Sequence, residues 1–476
     1  MAQIRRRALF FICIILLGSF FFEACSKRPA KDETAPIFGI DPIPAASDTA
    51  GYRGVLAAWK RAGFRNMTVV SMGPKDGLAF IPPDRMKAIR SSLNNGAGAA
   101  GDDGMVTADN YLYAAHDLGL ISRVVWVIPF GYADYIDAEA RIRNFLKNEA
   151  SYFSPKDIDS ISYNKGVVSG RLFGIETYIC SPSRIMFIRK PALVTLDTGF
   201  FPAYSARKGI NKLGGMRDFF ELMSAWRIAA RSVFVISSPD LKAMHGYLAE
   251  QALAIVNNPG IVRTGAPPAL WLVRDQAENM FSGGGIKEAV SYLIPMVKKY
   301  PADPYLTLIL ETGRVLLSEK PASSKELERL CRDKPDLCRG MVDAGVALRD
   351  KGDGPDALEF FRRALALKPD LRSARMEIAA TLYGMARYEE AARELDLSSA
   401  DASSVTGLFL RGDCAYALRH EDEARADYEK AVAAYREAGS YRLGARELAG
   451  VNRLRSIYER QGDKKGLNRL DKLALH

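Results

Sequence analysis

Apolar residues follow two different rhythms along this chain. Between about residues 37 and 240 they come in short, near-continuous runs: MTVVSM at 67–72, SRVVWVIP at 122–129, LFGIETYIC at 172–180, ALVTLDTGFF at 192–201 and SVFVISSP at 232–239. Stretches of helical periodicity lie between them. Strands that are apolar on both faces belong in a parallel sheet with helices on both sides, so the pattern predicts an α/β domain. In such sheets, binding sites form in the loops at the carboxyl ends of the strands.

After about residue 266 the strand signal stops and a 34-residue spacing replaces it. Ala289, Ser323 and Ala357 are each followed at +4 by Leu293, Leu327 and Phe361, and at +12 by Pro301, Pro335 and Pro369. Ala391 with Leu395 continues the register; Ala424 with Tyr428 is one residue short of it, and Gly412 precedes Ala424 as Gly345 precedes Ala357. Small residues let two antiparallel helices approach, the bulky residue fills the gap between them, and proline ends the second helix. The spacing resembles the tetratricopeptide repeat, which implies five or six helix-turn-helix units stacked into an all-α superhelix. Such stacks hold protein partners in a groove lined by their first helices. In the repeat register that groove would present Arg339, Arg349, Tyr383, Phe409, Asp413 and Tyr416, a mixture of aromatic and charged side chains suited to an extended peptide.

The amino terminus carries a different signal. Arg5, Arg6 and Arg7 precede the apolar run Ala8 to Phe22, which is too short to span a bilayer comfortably and has the form of a secretory leader. A small residue, Ala24, then stands before Cys25, and the arrangement resembles the lipobox of bacterial lipoproteins. That resemblance implies a signal peptide over 1–24, a lipidated Cys25 and a polar tether over 25–36. Ser26 after the cysteine resembles lipoproteins sent on to an outer membrane, so the expected location is the bacterial envelope, facing the periplasm.

Charge changes this picture little. The chain has a formal net charge of +10, and removing the leader leaves +8. The excess is spread thinly, without the basic blocks and interleaved aromatics of nucleic-acid binders, so no nucleic-acid partner is expected. The six cysteines have no spacing suited to zinc. Cys331 and Cys338 are close enough to pair in an oxidising compartment, and two separate buried thiols are the alternative.

Three stretches of the first region carry a second resemblance: VTADNYLYAAHDLGLISRVVWVIPFGY (Val106 to Tyr132), VVSMGPKDGLAFIPP (Val69 to Pro83) and ALVTLDTGFFPAY (Ala192 to Tyr204). Together they look like an arginase-like family, which implies the three-layer α/β fold of arginases and deacetylases over about 37–260. In that family the second stretch reads Asp-x-His-x-Asp and the third Leu-Asp-x-Asp-Phe-Phe, and these residues hold divalent metal that activates a water. Placed against those motifs, Met72 and Pro74 stand where the first Asp and the His belong, and Gly199 stands where the second Asp of the later motif belongs. Only Asp76 and Asp197 remain. Two carboxylates cannot build the site, and His116 reads as a surface or packing residue. The expectation is therefore a pseudoenzyme with no cofactor and no catalytic metal, whose repeats at 267–476 bind a protein partner. The alternative is a metal-dependent hydrolase of a peptide or guanidino/amide substrate.

Overall fold

The computed structural model describes residues 38–40, 51–94, 105–135, 137–148, 153–185, 188, 190–263, 267–318, 324–397, 404–438 and 443–471. The leader, Cys25 and the tether lie outside them. Among the described residues eight strands form one sheet: β1 (Gly39–Ile40), β2 (Met67–Met72), β3 (Ile121–Val127), β4 (Ser162–Asn164), β5 (Val167–Leu172), β6 (Ile175–Cys180), β7 (Ala192–Asp197) and β8 (Ala229–Ile236). Their order is β1-β8-β7-β2-β3-β6-β5-β4. Neighbours from β1 to β6 are parallel, and β5 and β4 add an antiparallel edge.

That edge departs from the sequence expectation. The run 172–180 is not one strand, because Phe173 and Gly174 both have left-handed backbone (φ 49° and 79°) and turn the chain from β5 into β6. Lys165 and Gly166 (φ 48° and 88°) do the same between β4 and β5. Paired positive φ values give the tight turns whose twist matches that of a hairpin.

Because the central strands are apolar on both faces, the sheet has a core on each side. Val70, Met72, Val194 and Leu196 join Phe200, Phe219 and Phe220 from helices Phe200–Lys208 and Lys212–Trp226. On the opposite face Val69, Val124, Trp126 and Leu193 join Leu56 and Trp59 of helix Gly51–Arg61 and Ile142 of helix Ala138–Asn148. Alternation along each strand sends successive side chains to opposite cores.

From Ala269 to Asp471 the described chain is helical, in six successive pairs that begin with Ala269–Ser282 and Ile286–Lys299 and end with Ala445–Arg460 and Lys464–Asp471. The repeat register is visible in the packing. Ala289, Ala357, Ala391 and Ala424 are fully buried, as are Leu293, Phe361 and Tyr428. A Cβ added to Gly345 would come within 2.5 Å of Phe361, and one added to Gly412 within 2.7 Å of Tyr428. These glycines are the hollows that receive the bulky residue of the second helix. Ser323 lies outside the described residues; Ser324 caps the next helix by accepting from the Leu327 amide at 3.2 Å. Cys331 and Cys338 form a disulfide, while Cys180 and Cys414 are buried thiols. No helix among the described residues is long and apolar enough to cross a membrane.

Sheet and repeats meet across a buried interface. Trp271, Tyr305 and Leu337 of the helical region belong to one of the two sheet cores. Beside them Glu278, fully buried, is bound by Lys212 Nζ and accepts from His245 Nε2 at 3.0 Å, Tyr247 OH at 2.8 Å and Ser282 Oγ at 3.2 Å. Arg274 pairs with buried Asp303 and reaches Glu250 at 3.3 Å, with its guanidinium 5.1 Å from the Tyr305 ring centre.

Candidate functional site

The carboxyl ends of β2 and β7 are neighbours, because the two strands pair directly with Met72 opposite Leu196. The loop after β2 carries Asp76 and β7 ends at Asp197, so the topology brings the two remaining carboxylates to one place. Both lie close enough to Tyr111 to raise its pKa. They are 5% and 6% exposed, which is too little for a carboxylate unless protein groups replace its water.

Protein groups do replace it. Asp197 Oδ1 accepts from the Gly199 amide at 2.7 Å, and Oδ2 accepts from Tyr52 OH at the start of helix Gly51–Arg61. Asp76 Oδ1 accepts from the Leu78 amide at 2.7 Å, two residues on, in an Asx turn. Behind them Tyr111 OH sits 2.7 Å from Ser71 Oγ and 2.9 Å from Thr195 Oγ1, bridging β2 and β7. Burial raises the pKa of Asp197 against the opposing effect of its donors, and burial together with Asp197 raises Tyr52 far above the usual phenol range. The proton therefore stays on Tyr52 and the hydroxyl acts as donor. Burial pushes Tyr111 up to about 12.

Two of the positions that would complete a metal site, Met72 and Gly199, point elsewhere or have no room. Met72 is buried in the sheet core with Val70 and Leu196. A Cβ on Gly199 would come within 2.9 Å of Ser238 Oγ and 3.0 Å of Asp197 Oδ1, so a side chain there must displace one of them. Gly77 (φ 69°) makes the turn after Asp76, and its Cα faces the Tyr111 ring at a distance that excludes a Cβ. His116 stands half-buried on helix Tyr111–Asp117, where burial lowers its pKa, and His245 is engaged by Glu278. Among the described residues no three His, Cys, Asp or Glu side chains converge as a metal-binding group. A catalytic divalent ion does not fit this donor set, since two carboxylates alone would leave it mostly water-bound. At the rim Lys75 reaches Asp109 at 3.2 Å and Asp240 at 3.3 Å; burial pulls its pKa down, but the two carboxylates outweigh that and hold it up.

The residues expected in the repeat groove fall into three groups. Arg349, Tyr383 and Tyr416 lie on successive first helices that pack on one another. Arg349 pairs with Glu377; Arg446 stands 5.9 Å over the Tyr383 ring and Arg453 5.7 Å over the Tyr416 ring. Phe409 and Asp413 are not presented to a groove. Phe409 is fully buried, its ring 6.1 Å from that of Tyr428, and Asp413 is 2% exposed, accepting from Tyr428 OH at 2.6 Å and paired with Arg453. Their place in the register puts them on the inner side of the helix pair, where they hold the Glu421–Ala438 and Ala445–Arg460 helices to Val405–Ala417. Arg339 lies apart from the others, at the junction with the sheet. Sequence reasoning missed Arg446 and Arg453, because the last repeat breaks the spacing from which their register could be counted.

No protein-family model matches the chain, and no curated protein matches it. Similar solved structures include MamA 41-end from Desulfovibrio magneticus RS-1, 18% identical over 44% of this chain and 97% of that one, with a TM-score of 0.28. Another is from the functional characterization of Pseudomonas aeruginosa pilF, 16% identical over 42% of this chain and 89% of that one, again with a TM-score of 0.28.

Proposed function

We propose that the protein is an envelope-anchored scaffold: a sheet domain of arginase type that has given up metal chemistry, joined to a tetratricopeptide-type stack that holds a protein partner. The observation that carries this reading is Asp197, whose two oxygens are taken by Tyr52 and the Gly199 amide. A carboxylate so engaged ties a helix to a strand end, and with only Asp76 beside it the strand ends supply, among the described residues, too few ligands for a catalytic ion. The partner surface is the face of the first helices on which Arg349, Tyr383, Tyr416, Arg446 and Arg453 gather. Arginine stacked on half-exposed tyrosine is the composition of interface hot spots, since both bury large area with few side-chain rotations lost. The proposed division is a signal peptide over 1–24, a lipidated tether over 25–36, the sheet domain over 37–260 and the repeats over 267–476.

The test is a photoreactive phenylalanine analogue placed at Tyr383 or Tyr416 in the full chain in cells. Irradiation is expected to give protein adducts of defined mass at both positions and none at exposed Lys87 on the sheet side. Adducts at Lys87 to the same extent, or none anywhere, would contradict a partner surface on the repeats. The anchor has its own test: Cys25→Ser is expected to leave the chain unprocessed or free of the membrane fraction, and unchanged processing and retention would rule the lipid out.

A further inference from the structure

A cleft of about 800 Å³ lies between the end of β8, helix Tyr247–Asn257 and the turn closed by the Cys331–Cys338 disulfide. That volume falls within the roughly 300–1,000 Å³ of small-molecule sites. It also sits where open parallel sheets place their ligands, beyond the carboxyl end of a strand.

The walls differ in chemistry. Val235, Leu241 and Leu253 from the sheet side and Leu337 from the disulfide-closed turn supply apolar surface. Lys242, Lys334 and Arg339 also line it, and none of the three makes an ion pair within 4 Å among the described residues. The Ala243 amide donates to half-buried Asp343 at 2.6 Å and Arg339 stands one turn before Asp343 on helix Arg339–Asp350, so Lys242 and Arg339 stand at one end, close enough to oppose the rise that burial imposes on the Asp343 pKa. Of the acidic residues in the lining, Glu250 is engaged by Arg274 and Asp336 is exposed. Lys334 and Leu337 stand inside the disulfide loop and Arg339 follows it, so the covalent link fixes both the cationic and the apolar contribution of the repeats.

We infer that this cleft binds a carboxylate carried on an apolar body, the chemistry shared by a short-chain organic acid and by a peptide C-terminus ending in an apolar residue. Cations with no ion pair within 4 Å among the described residues receive the carboxylate, and the leucines and valine receive the chain. The site is separate from the Tyr383–Tyr416 surface, and the photo-crosslinking experiment above is indifferent to it.

Calorimetry on the full chain tests it with two matched pairs of probes: hexanoate against hexanamide, and N-acetyl-Ala-Ala-Val-Leu as free acid against its amide. Each acid is expected to bind about tenfold tighter than its amide, as a charge-assisted contact requires. Lys334→Ala and Arg339→Ala, exposed or half-exposed changes with unaltered melting temperature, are each expected to weaken the acids about threefold or more. A peptide acid much tighter than hexanoate assigns the site to a protein C-terminus, and equal affinities assign it to a small acid; both support the carboxylate chemistry. Amides that bind as well as acids, no binding at millimolar concentration, or affinities unchanged in both variants would overturn it.

Discussion

Asp197 and Glu278 are both buried carboxylates, one at the end of a strand and one in the first helix of the repeats, and they are held in opposite ways. Asp197 is held by neutral donors, Tyr52 and the Gly199 amide among them, so burial prevails and its pKa rises. At Glu278 burial also pushes upward, but His245 and Lys212 outweigh it and hold the carboxyl down at about 2. Neutral donors replace the water around a buried acid without demanding its charge. A cationic partner such as Lys212 makes the charge indispensable, because removing it leaves the ammonium partly buried and unpaired. The cluster at the sheet end is therefore a closed clasp, and the junction is a weld.

The sharpest way to break that comparison is Glu278→Ala. It leaves Lys212 without its counter-charge and His245 and Tyr247 without their acceptor, and is expected to cost about 3–5 kcal/mol in denaturant unfolding of the full chain. A loss below about 1 kcal/mol would show that the junction does not depend on this carboxylate. The pH dependence follows from the same contact. Glu278 has a folded pKa below its unfolded value of about 4.5, so its contribution is fully present above that pH and is lost as pH falls toward about 2. Asp197 has the opposite sign: its folded pKa is raised, so its contribution is greatest when it is protonated and falls as pH rises through that pKa. The melting temperature of the wild type is expected to drop between about pH 4.5 and 2 more steeply than that of Glu278→Ala. Parallel curves would place the acid sensitivity elsewhere.

Next in size is Gly199→Asp, which would place a second carboxylate at the end of β7. The new Cβ meets Ser238 and Asp197 itself, and overpacking of this kind costs about 1–3 kcal/mol. A variant as stable as the wild type would mean that the strand end is looser than its contacts imply.

How much of this was legible beforehand varies by region. The apolar runs at 67–72 and 192–197 are strands because both faces are buried, and a run without alternation reports that directly. The hairpin through Phe173 and Gly174 was hidden, since its apolar residues run on through a turn that only one glycine marks. The pairing of small and bulky residues in the repeats was readable at Ala357 and Phe361, because helix contact requires it at fixed spacing. Phe409 and Asp413 were misplaced for the reason that makes them buried: the register gives a helix, not which side of it a neighbour covers. The junction had no sequence signal. Repeat spacing alone implies a stack that stands by itself, yet Trp271, Tyr305 and Leu337 fill a core of the sheet. Contacts between distant segments such as Lys212 and Glu278 follow no period. Asp76 and Asp197 were found through a family resemblance, and Tyr52, which closes the clasp, had no motif to mark it.

A smaller effect is expected from Asp197→Asn. One oxygen becomes an NH2 group, so either Tyr52 or the Gly199 amide loses its acceptor, while no charge is left to bury; the two effects oppose, and stability at neutral pH is expected to fall by about 1 kcal/mol. A loss comparable to that of Glu278→Ala would erase the distinction between clasp and weld.

The smallest expected effect is none. The metal content of the purified full chain, measured by mass spectrometry together with its melting temperature with and without added manganese or zinc, bears most directly on the claim that the sheet domain has given up metal chemistry. Substoichiometric metal and an unchanged melting temperature are expected, because an ion that binds only the folded state must stabilise it. One equivalent of tightly held metal, lost together with its stabilisation in Asp76→Ala or Asp197→Ala, would contradict that claim.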